Sequence, residues 1–322
     1  MKFALSTNWC NRRLESGEEI ADRAAELGFD GLELGFHTSD FQVAGFKARL
    51  DRMPVGSVHA FCPVPISAPR GNPELYQLAS FDEETRRMAQ IMVRRNIAFA
   101  AEMGATALVL HAGRVYRDSL AGWFLPGWFM KGRREKIREE RGRKMIDVLK
   151  LELEQLVPEL EKNNVKLGLE NLPYPEGFPD FDEIASVTGD WVRPWLDTGH
   201  WYALETKRRL ARKANEEEQA APFPIPDAGY RPLGMHLNDS RGGDDHLAPG
   251  DGKIDFAVFR TMMETADHLV LEPNPTAPGH RLRESLVRLR RLCDGKTDEF
   301  RRDPVSETGA SAPVKDTASD KA

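Results

Sequence analysis

Six residues set out the chemistry open to this chain: His59, His111, Glu170, Asp197, His236 and Glu272. Each follows a short apolar run, such as Leu108-Val109-Leu110 before His111, Leu167-Gly168-Leu169 before Glu170 and Leu269-Val270-Leu271 before Glu272. A carboxylate that ends a buried run carries a desolvation penalty unless something pairs with it. A bound divalent cation would offset that penalty for Glu170, Asp197 and Glu272 together. Pairing with Arg or Lys from a neighbouring strand is the alternative, simpler for one carboxylate than for three in equivalent places. Two stretches extend the set. Asp197-Thr198-Gly199-His200 places a carboxylate and an imidazole where both could face one ion, with Gly199 permitting a tight turn, although Asp also caps helices. Beyond His236, the glycine-flanked Asp244-Asp245-His246 segment could fold back over the same region, and in an extended strand Asp244 and His246 would point the same way. Carboxylates and imidazoles without a thiolate suit Zn²⁺, Mn²⁺, Co²⁺ or Fe²⁺, and do not single one out.

Such residues need a scaffold that brings them together. Eight apolar runs read as strands: Lys2–Leu5, Gly31–Leu34, Val55–Phe61, Ala107–His111, Lys166–Glu170, Trp195–Asp197, Leu233–Leu237 and His268–Glu272. Amphipathic stretches such as Glu18–Leu27, Glu83–Met103, Lys144–Lys162 and Phe256–Thr265 lie between them. Asp30-Gly31, Met103-Gly104 and Asn163-Asn164 have the composition of helix C-caps. The alternation predicts an α/β fold with a parallel sheet, and eight units close into a (β/α)₈ TIM barrel. In a barrel the C-terminal strand ends converge on one mouth, whereas an open sheet would spread them along an edge. The barrel is expected to span residues 1–293, with an insertion at 114–143 after strand four. Trp123, Phe124, Trp128 and Phe129 make that insertion a lid or partner surface, or else aromatics packed on the barrel beside a solvated helix start. The 303–322 tail lacks apolar periodicity and is expected to be disordered. Asn215–Tyr230 is expected to cross the surface.

Composition narrows the classes. Of 322 residues, 45 are Lys or Arg and 51 are Asp or Glu, a formal charge of −6. That balance argues against a nucleic-acid or anionic-membrane surface. The 40% hydrophobic and 30% charged content is that of a globular protein that buries its own core. No stretch has the run of apolar residues a membrane helix or signal peptide needs. The three cysteines, Cys10, Cys62 and Cys293, form no CxxC pair, which speaks against a disulfide framework and for a reducing cytoplasm.

The chain resembles the xylose-isomerase-like barrel superfamily, which includes sugar isomerases and epimerases and the endonuclease IV group of abasic-site nucleases. The resemblance rests on Val58-His59-Ala60, Leu110-His111-Ala112-Gly113, Leu169-Glu170-Asn171, Leu196-Asp197-Thr198-Gly199-His200, His236 to Ile254, and Leu271-Glu272-Pro273, and runs from about Met1 to Leu292. It implies a divalent metal, Mn²⁺ or Zn²⁺ first, on Glu170, Asp197, His236 and Glu272. Glu170 and Glu272 would move a proton on the carbon next to a carbonyl, through a metal-stabilised enediolate. His59 and His200 would lie beside the substrate oxygens. The implied role is a sugar, sugar phosphate or keto-polyol isomerase or epimerase of carbohydrate metabolism, acting on a small-molecule carbohydrate, with self-association into a homo-oligomer left open. The alternative the resemblance implies is a zinc phosphodiesterase acting on abasic DNA, with additional metal on His59, His111, His200, Asp244 and His246. Against it, Phe61-Cys62-Pro63-Val64-Pro65 occupies the place of the nucleases' bulky DNA wedge. The Gly35–Asp40 loop also lacks the basic residue expected to probe the duplex.

Overall fold

Eight parallel strands close on one another in a computed structural model that describes residues 1–10, 16–115, 133–174, 177–212, 222–225, 231–243 and 246–296. They are β1 (Phe3–Ser6), β2 (Gly31–Leu34), β3 (Val55–His59), β4 (Ala107–Leu110), β5 (Lys166–Glu170), β6 (Val192–Asp197), β7 (Gly234–Leu237) and β8 (His268–Leu271). Each pairs with its neighbours in chain order, and Phe3 pairs with Leu269 to join β1 to β8. The fold is the expected (β/α)₈ barrel.

Side chains alternate along each strand, so one set points to the helices and the other to the interior. Leu167 and Leu169 of β5 belong to the large core beneath the helices. Ala107, Val109, Trp195, Leu233 and Val270 form a second, separate cluster, the filling of the barrel itself. Trp195 is its largest member and is fully buried. It fits because Gly168 and Gly234 flank it: a Cβ there would come within 2.7 and 2.3 Å of the indole. The indole lies edge-on to His236 at 5.2 Å, so it is the floor on which the polar mouth rests.

The crossover helices are α1 (Gly17–Leu27), α2 (Asp40–Lys47), α3 (Glu83–Glu102), α4 (Arg133–Glu154), α5 (Val157–Asn163), α6 (Phe181–Val187), α7 (Thr198–Arg212), α8 (Arg260–Thr265) and α9 (Gly279–Cys293). Ser16 and Glu19 form a capping box at the start of α1, satisfying donors that the first turn leaves free. In α9, Leu282, Leu286, Leu289 and Leu292 recur at helical spacing and are all buried, which docks that helix on the barrel.

Some boundaries differ from the sequence expectation. The left-handed residue that ends α1 is Gly28, at φ 94°, while Gly31 opens β2. Gly104 and Asn164 do take positive φ, as expected. Lys144–Lys162 is not one helix: α4 ends at Glu154, and α5 begins with Pro158 in its first turn, where the missing N–H breaks no bond. Phe256–Phe259 is a 3₁₀ turn leading into α8. Gly113–Arg114 forms a small antiparallel pair with Gly177–Phe178 above the barrel strands. Trp123, Phe124, Trp128 and Phe129 lie outside the described residues, as do the 303–322 tail and most of Asn215–Tyr230. Among the described residues, no helix is long and apolar enough to cross a membrane.

Candidate metal centre

The C-terminal strand ends bring the six residues together. His59, Glu170 and Asp197 close β3, β5 and β6; His111 and Glu272 stand one residue past β4 and β8; His236 is the third residue of β7. All six are buried, Glu170, Asp197 and His236 completely.

The tightest grouping surrounds one ring nitrogen. Nδ1 of His236 is 3.0 Å from Oε1 of Glu170, 3.2 Å from Oε2 of Glu272 and 3.8 Å from Oδ2 of Asp197. One donor atom from each of these four residues lies within 4.8 Å of all the others. Ligands that share an ion at about 2.0–2.2 Å stand roughly 3–3.5 Å apart, so the spacing suits a single cation. Three further groupings meet the same limit: His59, His236 and Glu272; His59, His111 and Glu170; and Asp197, His200 and His246.

Partners fix the ring nitrogens in place. Nδ1 of His59 donates to the carbonyl of Ala60, Nδ1 of His200 to that of Asn171, and Nδ1 of His246 to that of Glu272, each at 2.9 Å. A carbonyl only accepts, so the neutral form of each ring keeps its lone pair on Nε2. His236 is turned the other way, with Nε2 held by Glu33 and Nδ1 left to face the carboxylates. Fixing one nitrogen of a histidine so that the other is presented is the arrangement found around ligated metals.

The carboxylates are held as firmly. Asn238 donates from Nδ2 to Oδ2 of Asp197 at 2.7 Å, and its Oδ1 accepts from the backbone N–H of His246. The backbone N–H of His200 donates to the other Asp197 oxygen at 2.6 Å. Asn171 closes a two-bond ring with the Asp197 backbone. Asn8, just past β1, donates to Oε1 of Glu272 at 2.9 Å and leaves Oε2 facing His236. Asp239 anchors the loop that carries His246 by accepting from the backbone N–H groups of Ser240, Gly250, Gly252 and Ile254.

Among the described residues, the ion-pair partners of Glu170, Asp197 and Glu272 are all histidines. The Arg or Lys alternative is therefore not the arrangement found. Burial raises the Glu170 carboxyl, but His236 and His111 pull harder and hold it well below the ordinary range. Burial lowers His111, yet Glu170 and Glu74 outweigh it and carry the imidazole up to about 9. His236 rises well above its usual value against burial, drawn by Glu33, Glu272 and Glu170. Burial leaves the Asp197 carboxyl raised. Without a cation, the cluster offsets its buried negative charge by keeping imidazoles protonated. A divalent cation would take over that role, and the donor set fits one.

Several details depart from expectation. Gly199 lies in the first turn of α7 and takes no left-handed backbone. His246 is not extended: at φ 59° it is left-handed, and that bend turns its ring back to the mouth, edge-on to His200 at 5.2 Å. Asp244 lies outside the described residues. Sequence reasoning assigned no role to Glu33, Asn8, Asn171, Asn238 or Glu74. Asn171 and Asn238 do stand one residue past β5 and β7 but are amides rather than carboxylates or imidazoles, Glu33 lies within β2, and Asn8 and Glu74 lie in connections. Phe61 and Cys62 are fully buried, so neither projects as a wedge.

Comparison with known proteins places this geometry. The family description "xylose isomerase-like TIM barrel" matches residues 21–292. Solved structures share the fold at low identity. A D-tagatose 3-epimerase-like protein is 21% identical, with TM-score 0.61, over 94% of this chain and 100% of the other. The 3-keto-D-glucoside 4-epimerase of E. coli is 18% identical, with TM-score 0.59, over 90% and 99%. A Thermus thermophilus protein soaked with ZnCl₂ is 23% identical, with TM-score 0.56, over 92% and 99%. No curated protein matches the sequence.

Proposed function

The chain belongs to the xylose isomerase-like TIM barrel family, and from that premise we propose that it is a divalent-metal-dependent isomerase or epimerase of a sugar, sugar phosphate or keto-polyol. One observation carries the reading. Glu170 and Glu272, from β5 and β8, meet at Nδ1 of His236 with Asp197 beside them. The names of the similar structures, two of them sugar 3- or 4-epimerases or epimerase-like, agree with it.

Glu170, Asp197, His236 and Glu272 would hold the ion, which supplies charge stabilisation for a carbonyl and the adjacent hydroxyl of the substrate. Glu170 is kept ionised by His236 and His111, the state a proton acceptor needs. Glu272 has Oε1 fixed by Asn8 and Oε2 turned to Nδ1 of His236, the oxygen that would give or take a proton. Two carboxylates that bracket a carbon next to a carbonyl can remove a proton from one face and return it to either. His59 and His200 line the same space and would receive substrate hydroxyls. The free Cys10, Cys62 and Cys293 suit a reducing cytoplasm, the location we assign.

The test is incubation of the Mn²⁺-loaded protein with a panel of ketoses in D₂O. Deuterium at the carbon next to the carbonyl is the expected result. No exchange with any ketose or ketose phosphate, from a protein that holds its metal, would overturn the reading.

A second reading has its own observation. His59, His111 and Glu170 form one further triad, and Asp197, His200 and His246 another, enough for additional ions. Clustered ions stabilise attacking and leaving oxygens in phosphodiester hydrolysis. Several zinc ions per chain together with nicking of an abasic duplex would favour it; one ion without nicking would favour the isomerase.

A further inference from the structure

We infer that Glu33 is a positioning residue that fixes which nitrogen of His236 is presented to the metal; this rests on the metal-centre reading above. Glu33 stands in the middle of β2, between Leu32 and Leu34, and is completely buried. The β2–β3 register explains its neighbour on β3. Leu32 pairs with Val55 but Glu33 pairs with Ser57, a shift that leaves one extra residue on β3 at this point. That shift sets Ser57 rather than Gly56 opposite Glu33.

Both Glu33 oxygens lie 3.1 Å from Nε2 of His236, and Ser57 donates from Oγ to Oε2 at 2.8 Å. The carboxylate is thus oriented from one side and accepts from the imidazole on the other. His59, His200 and His246 donate Nδ1 to backbone carbonyls and present Nε2. His236 alone in this group presents Nδ1, and its partner is a side-chain carboxylate rather than a backbone carbonyl. A carboxylate on the distal nitrogen fixes the tautomer and raises the basicity of the ligating one. Among the described residues Glu33 belongs to none of the groupings that could hold an ion, so its effect passes through His236.

The test uses the full chain stripped with EDTA and titrated with CoCl₂, following both affinity and the visible absorption of the bound Co²⁺. Glu33→Gln keeps the volume and removes the charge. It is expected to weaken Co²⁺ binding by about 10–100-fold and to shift the absorption bands. Ser57→Ala, which leaves the carboxylate in place but frees it, is expected to weaken binding less and shift the bands in the same direction. It keeps the question open to measurement should Glu33→Gln fail to fold. A residue that only fills space would alter the melting temperature and leave the Co²⁺ bands where they were. Unchanged affinity and bands in the variants overturn this inference alone. Failure of the unaltered chain to bind Co²⁺ overturns the metal centre as well.

Discussion

Oε2 of Glu170 stands 3.1 Å from Nε2 of His111 and at the same distance from Nε2 of His59. One carboxylate oxygen thus faces two buried imidazoles, and in the absence of a cation a proton must occupy at least one of those contacts.

That arrangement sets a pH dependence. His111 titrates near 9 in the folded chain, above its ordinary 6.5, and His236 shifts the same way. A raised imidazole contributes stability that is complete below the unfolded value and is lost as pH rises through the folded one. The metal-free protein should therefore lose thermal stability between pH 6.5 and about 9. Divalent-metal affinity should rise over the same window, because binding displaces those protons. Melting curves after EDTA treatment, paired with Mn²⁺ titrations at pH 7 and 9, check both signs; a metal-free protein that grows more stable across the window contradicts the assignment.

Glu170 and Glu272 should both be required. Glu170→Gln removes a metal ligand and the group held ionised by His111 and His236 together. Glu272→Gln removes a ligand whose other oxygen is already engaged by Asn8. Each variant should reduce solvent-deuterium exchange by about 10²–10⁴-fold. Mass spectrometry of a reactive ketose after incubation in D₂O reads this directly, and exchange at the unaltered rate in either variant would remove that residue from its role.

The floor of the site is equally specific. A methyl group on Gly234 would come within 2.3 Å of Trp195, which has no room to retreat. Gly234→Ala should destabilise the fold by about 1–3 kcal/mol, the usual cost of overpacking. Because His236 is two residues on and rests on the same indole, metal affinity should fall too. Denaturant unfolding with and without Mn²⁺ separates the two effects. Wild-type stability in Gly234→Ala would mean that the tryptophan is not confined as described.

Asp239 gathers four backbone N–H groups and so ties Gly250, Gly252 and Ile254 to the strand end beside His246. Asp239→Ala leaves those donors without their acceptor, at about 2–3 kcal/mol. Amide hydrogen exchange should rise first across residues 246–254. Protection unchanged there would show that the loop is held by other contacts.

The frame of the site was legible because a barrel strand that ends in a polar residue leaves a mark in the sequence. Leu167-Gly168-Leu169-Glu170 and Leu269-Val270-Leu271-Glu272 each show an apolar run broken at one point, and both carboxylates reach the mouth. Glu33 left a fainter mark. It lies inside a strand whose residues are all buried, and only its alternation with Leu32 and Leu34 shows that it faces the barrel interior. His246 was placed at the mouth by its loop, but its left-handed backbone has no signature in the sequence, since that conformation favours glycine. Reading Asp30-Gly31 as the end of α1 passes over Gly28, which suits a C-cap as well by composition and is the residue that ends the helix in the left-handed conformation.

The most direct test of the central claim is the divalent-metal affinity of the EDTA-stripped chain compared with that of its Asp197→Asn and His236→Gln variants, measured by equilibrium dialysis with metal analysis. The account predicts that the unaltered chain retains at least one tightly bound ion. It also predicts that each substitution weakens that ion sharply, because residues from β6 and β7 share it with those from β5 and β8. Retention of no ion by the unaltered chain, or equal retention by the variants, would contradict it.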